Sequence, residues 1–196
     1  QKDATKEDES PLPQQLKPVP DPLAHTPKKR SVKALPFSPK VPYLGVLVDA
    51  GRQYYSIDWL KRLIDYLHHM RFNLIHFRLT DDQAFNIRLD SHPEFAKASA
   101  VSANGTVYTP LQLRELVAYA QERNITIMPE INVPGHAGAW HGIPNMLVPC
   151  ANFICEKGYG IPLNVEHPQL FSILKDMITE IKDIFYTSPF FHFGGD

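Results

Sequence analysis

Only two cysteines, Cys150 and Cys155, occur in 196 residues. They are too few for the disulfide framework that holds core-poor domains together, and three arrangements stay open for them. They bridge a short loop, remain free, or pair with a cysteine beyond Asp196. Charge of one sign is also missing. Twenty Lys and Arg face 21 Asp and Glu, for a formal net charge of -1 and a sequence pI near 6.8. Such balance leaves no electrostatic footprint for nucleic acid or an anionic membrane surface, so neither is expected as a partner. No run of about 18 apolar residues exists, and no bilayer-spanning segment is expected. No Ser or Cys sits on a tight nucleophile elbow, and neither His-x-His nor His-Glu-x-x-His is present; serine-nucleophile and zinc-hydrolase chemistry lack their usual patterns.

Proline is the exception to this scarcity. Nine of the 18 prolines fall between Pro11 and Pro42, in a stretch with few apolar residues to offset the entropy of ordering it. Residues 1–41 therefore read as a disordered or extended Pro-rich linker, and 42–196 as the folded part. The chain opens on Gln1 rather than Met, so the missing leader carries no weight. Asn104-Gly105-Thr106 and Asn124-Ile125-Thr126 match the N-glycosylation triplet.

After Val41, short apolar runs alternate with amphipathic stretches. Val46-Leu47-Val48 reads as a strand ending at Asp49. Trp59, Leu60, Leu63, Ile64 and Leu67 then recur at helical spacing, with Ser56 or Asp58 as N-cap. Asn73 to Leu79 is a second strand. Thr109-Pro110-Leu111-Gln112 carries the elements of a capping box with Pro at the first helical position, and Leu113, Leu116, Val117 and Ala120 form the buried stripe behind it. Ile125 to Ile131 is a third strand. A third helix is expected from about Pro168, with Leu170, Phe171, Leu174, Met177, Ile178 and Ile181 inward, and Phe190 to Phe193 begins a fourth strand.

The order is strand and helix in alternation, with near-continuous apolar strands of the kind buried on both faces of a parallel sheet. The expected fold class is α/β. Polar residues close each strand: Asp49 and Arg52, Asp81 and Asp82, Glu130 and Asn132, Gly194-Gly195-Asp196. In a parallel sheet these ends share one rim, where βα loops build active sites. Paired carboxylates suit acid/base chemistry at a sugar acetal, and an Arg can hold vicinal hydroxyls by forked hydrogen bonds. The rival is a metal site from Asp81, Asp82, His136 and His141. Each residue also has a structural reading: Asp81 or Asp82 as an N-cap, His136 and Asp196 as turn formers, Arg52 as a surface ion-pair partner. Trp140 is read as core or as a sugar platform, and Glu130 as a structural support.

Four segments carry a family resemblance. Val46-Leu47-Val48-Asp49-Ala50-Gly51-Arg52, Leu79-Thr80-Asp81-Asp82-Gln83-Ala84-Phe85, Pro129-Glu130-Ile131-Asn132-Val133-Pro134-Gly135-His136 and His192-Phe193-Gly194-Gly195-Asp196 resemble, in order, the strand-end motifs of the β-N-acetylhexosaminidases, family 20 of the glycoside hydrolases. The resemblance covers about 42–196 and implies the first half, about four βα strands, of a (β/α)₈ TIM barrel. It implies an exo-acting glycosidase that removes terminal β-linked N-acetylglucosamine or N-acetylgalactosamine by substrate-assisted retaining catalysis. Asp196 matches the Asp that orients the acetamido group, Arg52 the residue that grips ring hydroxyls, and Asp81 with His136 a hydrogen-bonded pair behind the acid. The acid Glu would follow Asp196, so the chain as given is expected to be inactive.

No metal or cofactor is implied. The implied partners are N-acetylhexosamine-terminated glycans or glycoconjugates, and the complete protein stays open between monomer and homodimer. The compartment is not fixed by sequence; the resemblance and the triplets at Asn104 and Asn124 favour a lysosome or secretion. A non-catalytic sugar-binding or structural relative is the alternative. Departures from the family pattern are Leu44-Gly45 for Arg-Gly, Gln53 for His, His76-Phe77-Arg78 for His-Trp-His, and Asn132 for Asp. The last is expected to leave Arg52 without an ionic partner.

Overall fold

In the computed structural model, which describes residues 41–97, 106–149 and 160–196, four short strands make one parallel sheet. They are β1 (Gly45–Asp49), β2 (Leu74–Arg78), β3 (Thr126–Val133) and β4 (His192–Gly194), in spatial order β1-β2-β3-β4. The Pro-rich segment through residue 40, Asn104, Cys150 and Cys155 lie outside the described residues. Each strand is followed along the chain by helix before the next: α1 (Ile57–His69), then a short α2 (Glu94–Lys97) with α3 (Pro110–Gln121), then α4 (Leu170–Ile184).

Local chemistry sets these boundaries. Ser56 caps α1, its Oγ accepting from the Trp59 N–H at 3.2 Å, which resolves the choice between Ser56 and Asp58. At α3 the full capping box forms: the Gln112 N–H donates to Thr109 Oγ1, and the Gln112 side chain accepts from the Thr109 N–H. Leu60, Ile64 and Leu67 of α1 and Leu113, Leu116, Val117 and Ala120 of α3 are buried as the spacing predicts.

The α4 stripe differs from expectation: Ile173 and Ile184 belong to it, Leu174 and Ile178 are only half-buried, and Phe171 is turned outward. Leu170, Ile173, Met177, Ile181 and Ile184 are buried, whereas Phe171 is 75% exposed. Spacings of three and four keep those five on one face, and Phe171 lies about 100° away from Leu170 around the helix. Hydrophobicity alone does not choose a face.

The strands correct a second expectation. Ile75 and Phe77 of β2 and Ile127 of β3 pack with Leu60, Ile64 and Leu116 around one small apolar gap between sheet and helices. Side chains alternate across a strand, so the neighbours His76, Arg78, Met128 and Glu130 project from the opposite face. On β1, Leu47 shares that second face and is 55% exposed. The helix side of the strands is uniformly apolar, whereas the opposite face mixes Leu47 and Met128 with His76, Arg78 and Glu130. The register aligns Asp49, Arg78, Glu130 and His192 as a single rung across all four strands.

Beyond the strand ends, Phe85 stacks on Phe95 at 4.4 Å, and the Trp140 edge meets Phe95 at 4.8 Å. Trp140 is fully buried in this cluster. It pins the loop after β2 to the 3₁₀ turn Gly138–Gly142 after β3, which excludes the sugar-platform reading. Among the described residues, no helix is long and apolar enough to cross a membrane.

The two faces of α4 give a direct test. Ile173→Ala should lower unfolding free energy by about 2–4 kcal/mol, and Phe171→Ala by less than about 0.5 kcal/mol. Urea denaturation of the two variants checks the order; an equal loss would overturn the assigned face.

Candidate active site

The rim residues are held by loops that the chain ties down one at a time. After β1, the Ala50 and Gly51 N–H groups both donate to the Arg78 carbonyl, at 2.8 and 3.1 Å. A Cβ at Gly51 would sit 2.6 Å from the Thr80 carbonyl carbon, so this crossing requires glycine. The Asn86 side chain donates to the Ala50 carbonyl. Farther along, the buried Tyr108 hydroxyl donates to the Tyr55 carbonyl at 2.7 Å and accepts from the Tyr55 N–H at 3.1 Å. Burial pushes that phenol well above its ordinary value, so it stays protonated.

Arg52 projects from this anchored loop with 49% of its side chain exposed. Its Nη2 lies 3.2 Å from Asp81 Oδ2 and its Nη1 3.6 Å from Asp49 Oδ2. The expectation that Asn132 leaves Arg52 without an ionic partner is thus corrected: two other strand-end carboxylates supply the charge. Asn132 is engaged elsewhere. Its N–H donates to Thr80 Oγ1 at 2.9 Å, and its side chain lies against Gly194.

His136 is the centre of the rim. Its backbone takes a positive φ of 49°, after a cis Val133–Pro134 bond. Nδ1 hydrogen-bonds Asp82 Oδ2 at 2.9 Å and stands 3.4 Å from Asp81 Oδ1; Nε2 stands 3.6 Å from Asp196 Oδ2. The expected Asp81–His136 hydrogen bond is therefore made by Asp82. The reason is occupancy. Asp81, with no exposed side-chain surface, spends Oδ2 on Arg52 and Arg78 and accepts the Asp82 N–H on Oδ1 at 2.8 Å.

Asp82 in turn organises the loops around the ring. Its carboxylate accepts from the N–H groups of Gly138 at 3.0 Å, Gly160 at 2.6 Å and Ile161 at 3.3 Å. An acid beside three backbone donors and an imidazole is read in sequence only as half of an Asp-Asp pair.

Asp196 reaches the rim because two glycines admit it. Gly194 has φ of 72°, and a Cβ there would fall 1.5 Å from Asn132 Oδ1; at Gly135 a Cβ would meet the Asp196 carbonyl oxygen at 2.1 Å. The Gly195 N–H donates to the Val133 carbonyl at 3.1 Å and fixes the approach. Burial alone would raise the Asp196 carboxyl. The Asn132 amide, a backbone N–H and the nearby Arg78 and His136 act the other way and hold it below its ordinary value.

Under the rim lies the charged rung. Arg78 contacts Asp81 and places Nη1 3.5 Å from Glu130 Oε1. Buried Glu130 contacts His76 and stands 3.5 Å from His192 Nδ1, while the His76 and His192 rings lie 4.4 Å apart. Burial lowers the His76 value, more than Glu130 raises it. In the sequence, His76 and Arg78 stand out only as a departure from the family pattern and His192 only as part of a motif; none is a candidate site residue there.

Two groups, His76–Glu130–His192 and Asp81–Asp82–His136, bring metal-ligand atom types within 4.8 Å. In each, Arg78 or backbone N–H groups already face the carboxylates, which disfavours a divalent cation there. His141 belongs to neither group, its Nδ1 lying 3.0 Å from the Gly138 carbonyl oxygen.

A strand-end rim with Arg52, an Asp-His pair and a glycine-admitted Asp coincides with a family match: residues 41–196 fit the catalytic-domain model of glycosyl hydrolase family 20. The chain belongs to that family. A family 20 relative, a chitooligosaccharidolytic β-N-acetylglucosaminidase of Bombyx mori, is 35% identical over 163 residues, 81% of this chain and 27% of the relative. The β-hexosaminidase subunit beta of Mus musculus is 30% identical over 160 residues, again 81% of this chain and 30% of the relative. Among solved structures, the family 20 exo β-N-acetylglucosaminidase of Vibrio harveyi in complex with N-acetylglucosamine aligns with TM-score 0.71 and 28% identity, over 81% of this chain and 28% of that one. The parallel α/β sheet and these neighbours fit a partial TIM-barrel-like fold. The chain spans under a third of the relatives' length.

Asp82→Ala removes the acceptor shared by His136 and three backbone donors. Stability should fall by about 1.5–3 kcal/mol, with exchange protection lost first at the Gly138 and Ile161 amides. Hydrogen exchange that leaves both amides protected would contradict the anchoring role.

Proposed function

We propose that residues 42–196 form the first half, about four βα strands, of a family 20 (β/α)₈ barrel behind a Pro-rich 1–41 linker. On this reading the complete protein removes terminal β-linked N-acetylglucosamine or N-acetylgalactosamine from glycans or glycoconjugates. The observation that carries it is His136 standing between Asp82 and Asp196, with Arg52 beside them on the same rim.

On this reading each group has a task. Arg52, half exposed and tethered at its base, offers forked donors to ring hydroxyls of the terminal sugar. The substrate's 2-acetamido oxygen attacks the anomeric carbon as the glycosidic C–O bond breaks, giving an oxazolinium-like intermediate and a protonated leaving oxygen. Ionised Asp196 accepts the acetamide N–H, orients the oxygen and stabilises the positive charge. The proton comes from a Glu expected immediately after Asp196; that group then activates water, which opens the intermediate with retention. His136 supports Asp196, and Asp81 and Asp82 hold His136 and Arg52. The residues 1–196 alone lack the acid and are expected to show no hydrolysis.

The complete protein should release nitrophenol from p-nitrophenyl N-acetyl-β-glucosaminide, unaffected by a chelator. Changing the Glu after Asp196 to Gln should abolish release, and Asp196→Asn should cost about 10²-fold in kcat. Any other residue in that position, or an inactive complete protein that still binds N-acetylglucosamine, would favour a non-catalytic sugar-binding relative. Loss of activity with chelator would favour the metal-dependent alternative.

A further inference from the structure

Arg78 is a guanidinium of the rung itself that also reaches the rim. Its side chain is 12% exposed and faces two carboxylates with almost no exposure, Asp81 and Glu130. Asp49, its register partner on β1, also faces it. On Asp81 it shares a single oxygen, Oδ2, with Arg52. Two guanidiniums therefore converge on one buried oxygen, one fixed in the sheet and the other half exposed in the loop. The fixed one sets where Asp81 can stand, and Asp81 sets where Arg52 can stand.

We propose that Arg78 is a positioning residue for the sugar site: by clamping Asp81 against Glu130 it fixes the anchor of Arg52, and its permanent charge compensates the two buried carboxylates below the rim. This inference rests on the reading of Arg52 as the group that holds the terminal sugar. A strand-end His at this position would carry charge only when protonated, whereas a guanidinium stays charged throughout the working range. Its planar fork also presents a separate nitrogen to each acceptor, Nη2 to Asp81 and Nη1 to Glu130, where a lysine ammonium offers a single nitrogen.

The charged and titratable groups around this clamp are known on each side. Asp49 approaches from β1, His76 from β2, Glu130 from β3 and His192 from β4; Asp81, Asp82, Arg52, His136 and Asp196 come from the strand-end loops. Arg78 and His136 both favour ionised Asp196. Removing Arg78 takes away one of them, so Asp196 holds its proton to higher pH.

The test uses the complete protein with Arg78→Met and Arg78→Lys. Arg78→Met should raise KM for p-nitrophenyl N-acetyl-β-glucosaminide about tenfold and move the acidic limb of the pH profile upward. Arg78→Lys should return that limb to the wild-type position while KM stays raised about threefold, because a single ammonium nitrogen does not reproduce the rigid two-nitrogen fork between Asp81 and Glu130. If Arg78→Met does not fold, the Lys variant decides alone: a wild-type KM overturns the proposal. Unchanged KM in both variants, or a loss of thermal stability with KM and pH limb unmoved, also overturns it. A crystal structure of the variant separates this inference from the proposed activity. Arg52 should leave Asp81 in Arg78→Met, or in Arg78→Lys where the former does not fold; an Arg52 that stays in place refutes the clamp even if the protein hydrolyses nothing.

Discussion

Two carboxylates with almost no exposed surface, Asp81 and Glu130, sit within reach of one guanidinium, and the arrangement of the rim depends on that fact. Burying a carboxylate is costly unless a cation or several donors stand beside it. Arg78 meets that need for both, from the middle of the sheet. Its position in register with Asp49 and Glu130 makes the sheet itself the scaffold of the charge network. Loops then inherit their placement: Asp81 fixes Arg52, and its neighbour Asp82 takes His136 because Asp81 is already engaged.

This division of labour between adjacent aspartates explains how two groups with the same chemistry do different things. Asp81 looks down toward the sheet and two guanidiniums. Asp82 looks along the rim toward backbone N–H groups of the Gly138 and Gly160–Ile161 loops. Arg78 meets Asp81 locally, three residues along the chain, while Asp82 is already held by the loop N–H groups. Spacing in sequence fixes that both acids lie at the end of β2. The turn after β2 sets which of them faces Arg78.

Much of the fold was legible because its signals are local. The Thr109–Gln112 capping box, the Ser56 cap and the apolar spacing of α1 and α3 are decided within four or five residues, and each appears as expected. The strand-end polar residues were legible for a similar reason: a polar pair closing each apolar run marks one rim of a parallel sheet. What was not legible depends on partners far apart in the chain. Phe171 and Ile173 are equally apolar, and only the sheet behind α4 selects the second. Trp140 is an aromatic near the rim whether it faces a sugar or Phe95; the packing of the loop after β2 decides. The partners of Arg52 were sought at Asn132, the position suggested by resemblance, whereas Asp81 of the loop after β2 and Asp49, three residues earlier in the chain, supply the charge.

The charged rung also bears on how Asp196 works. A carboxylate beside a cation and an imidazole is stabilised as the anion, and the folded chain holds Asp196 below its ordinary value. By linkage, the stability this shift contributes is present above the unfolded-state value and is lost as pH falls through the depressed one. The same charge that stabilises the fold therefore maintains the ionised form that an acetamide N–H requires. Asp196 is 56% exposed, so solvent screens this benefit and the thermodynamic gain is small. The electrostatics is better understood as positioning than as stability: Arg78 and His136 favour the anion while more than half of the Asp196 side chain stays open to solvent.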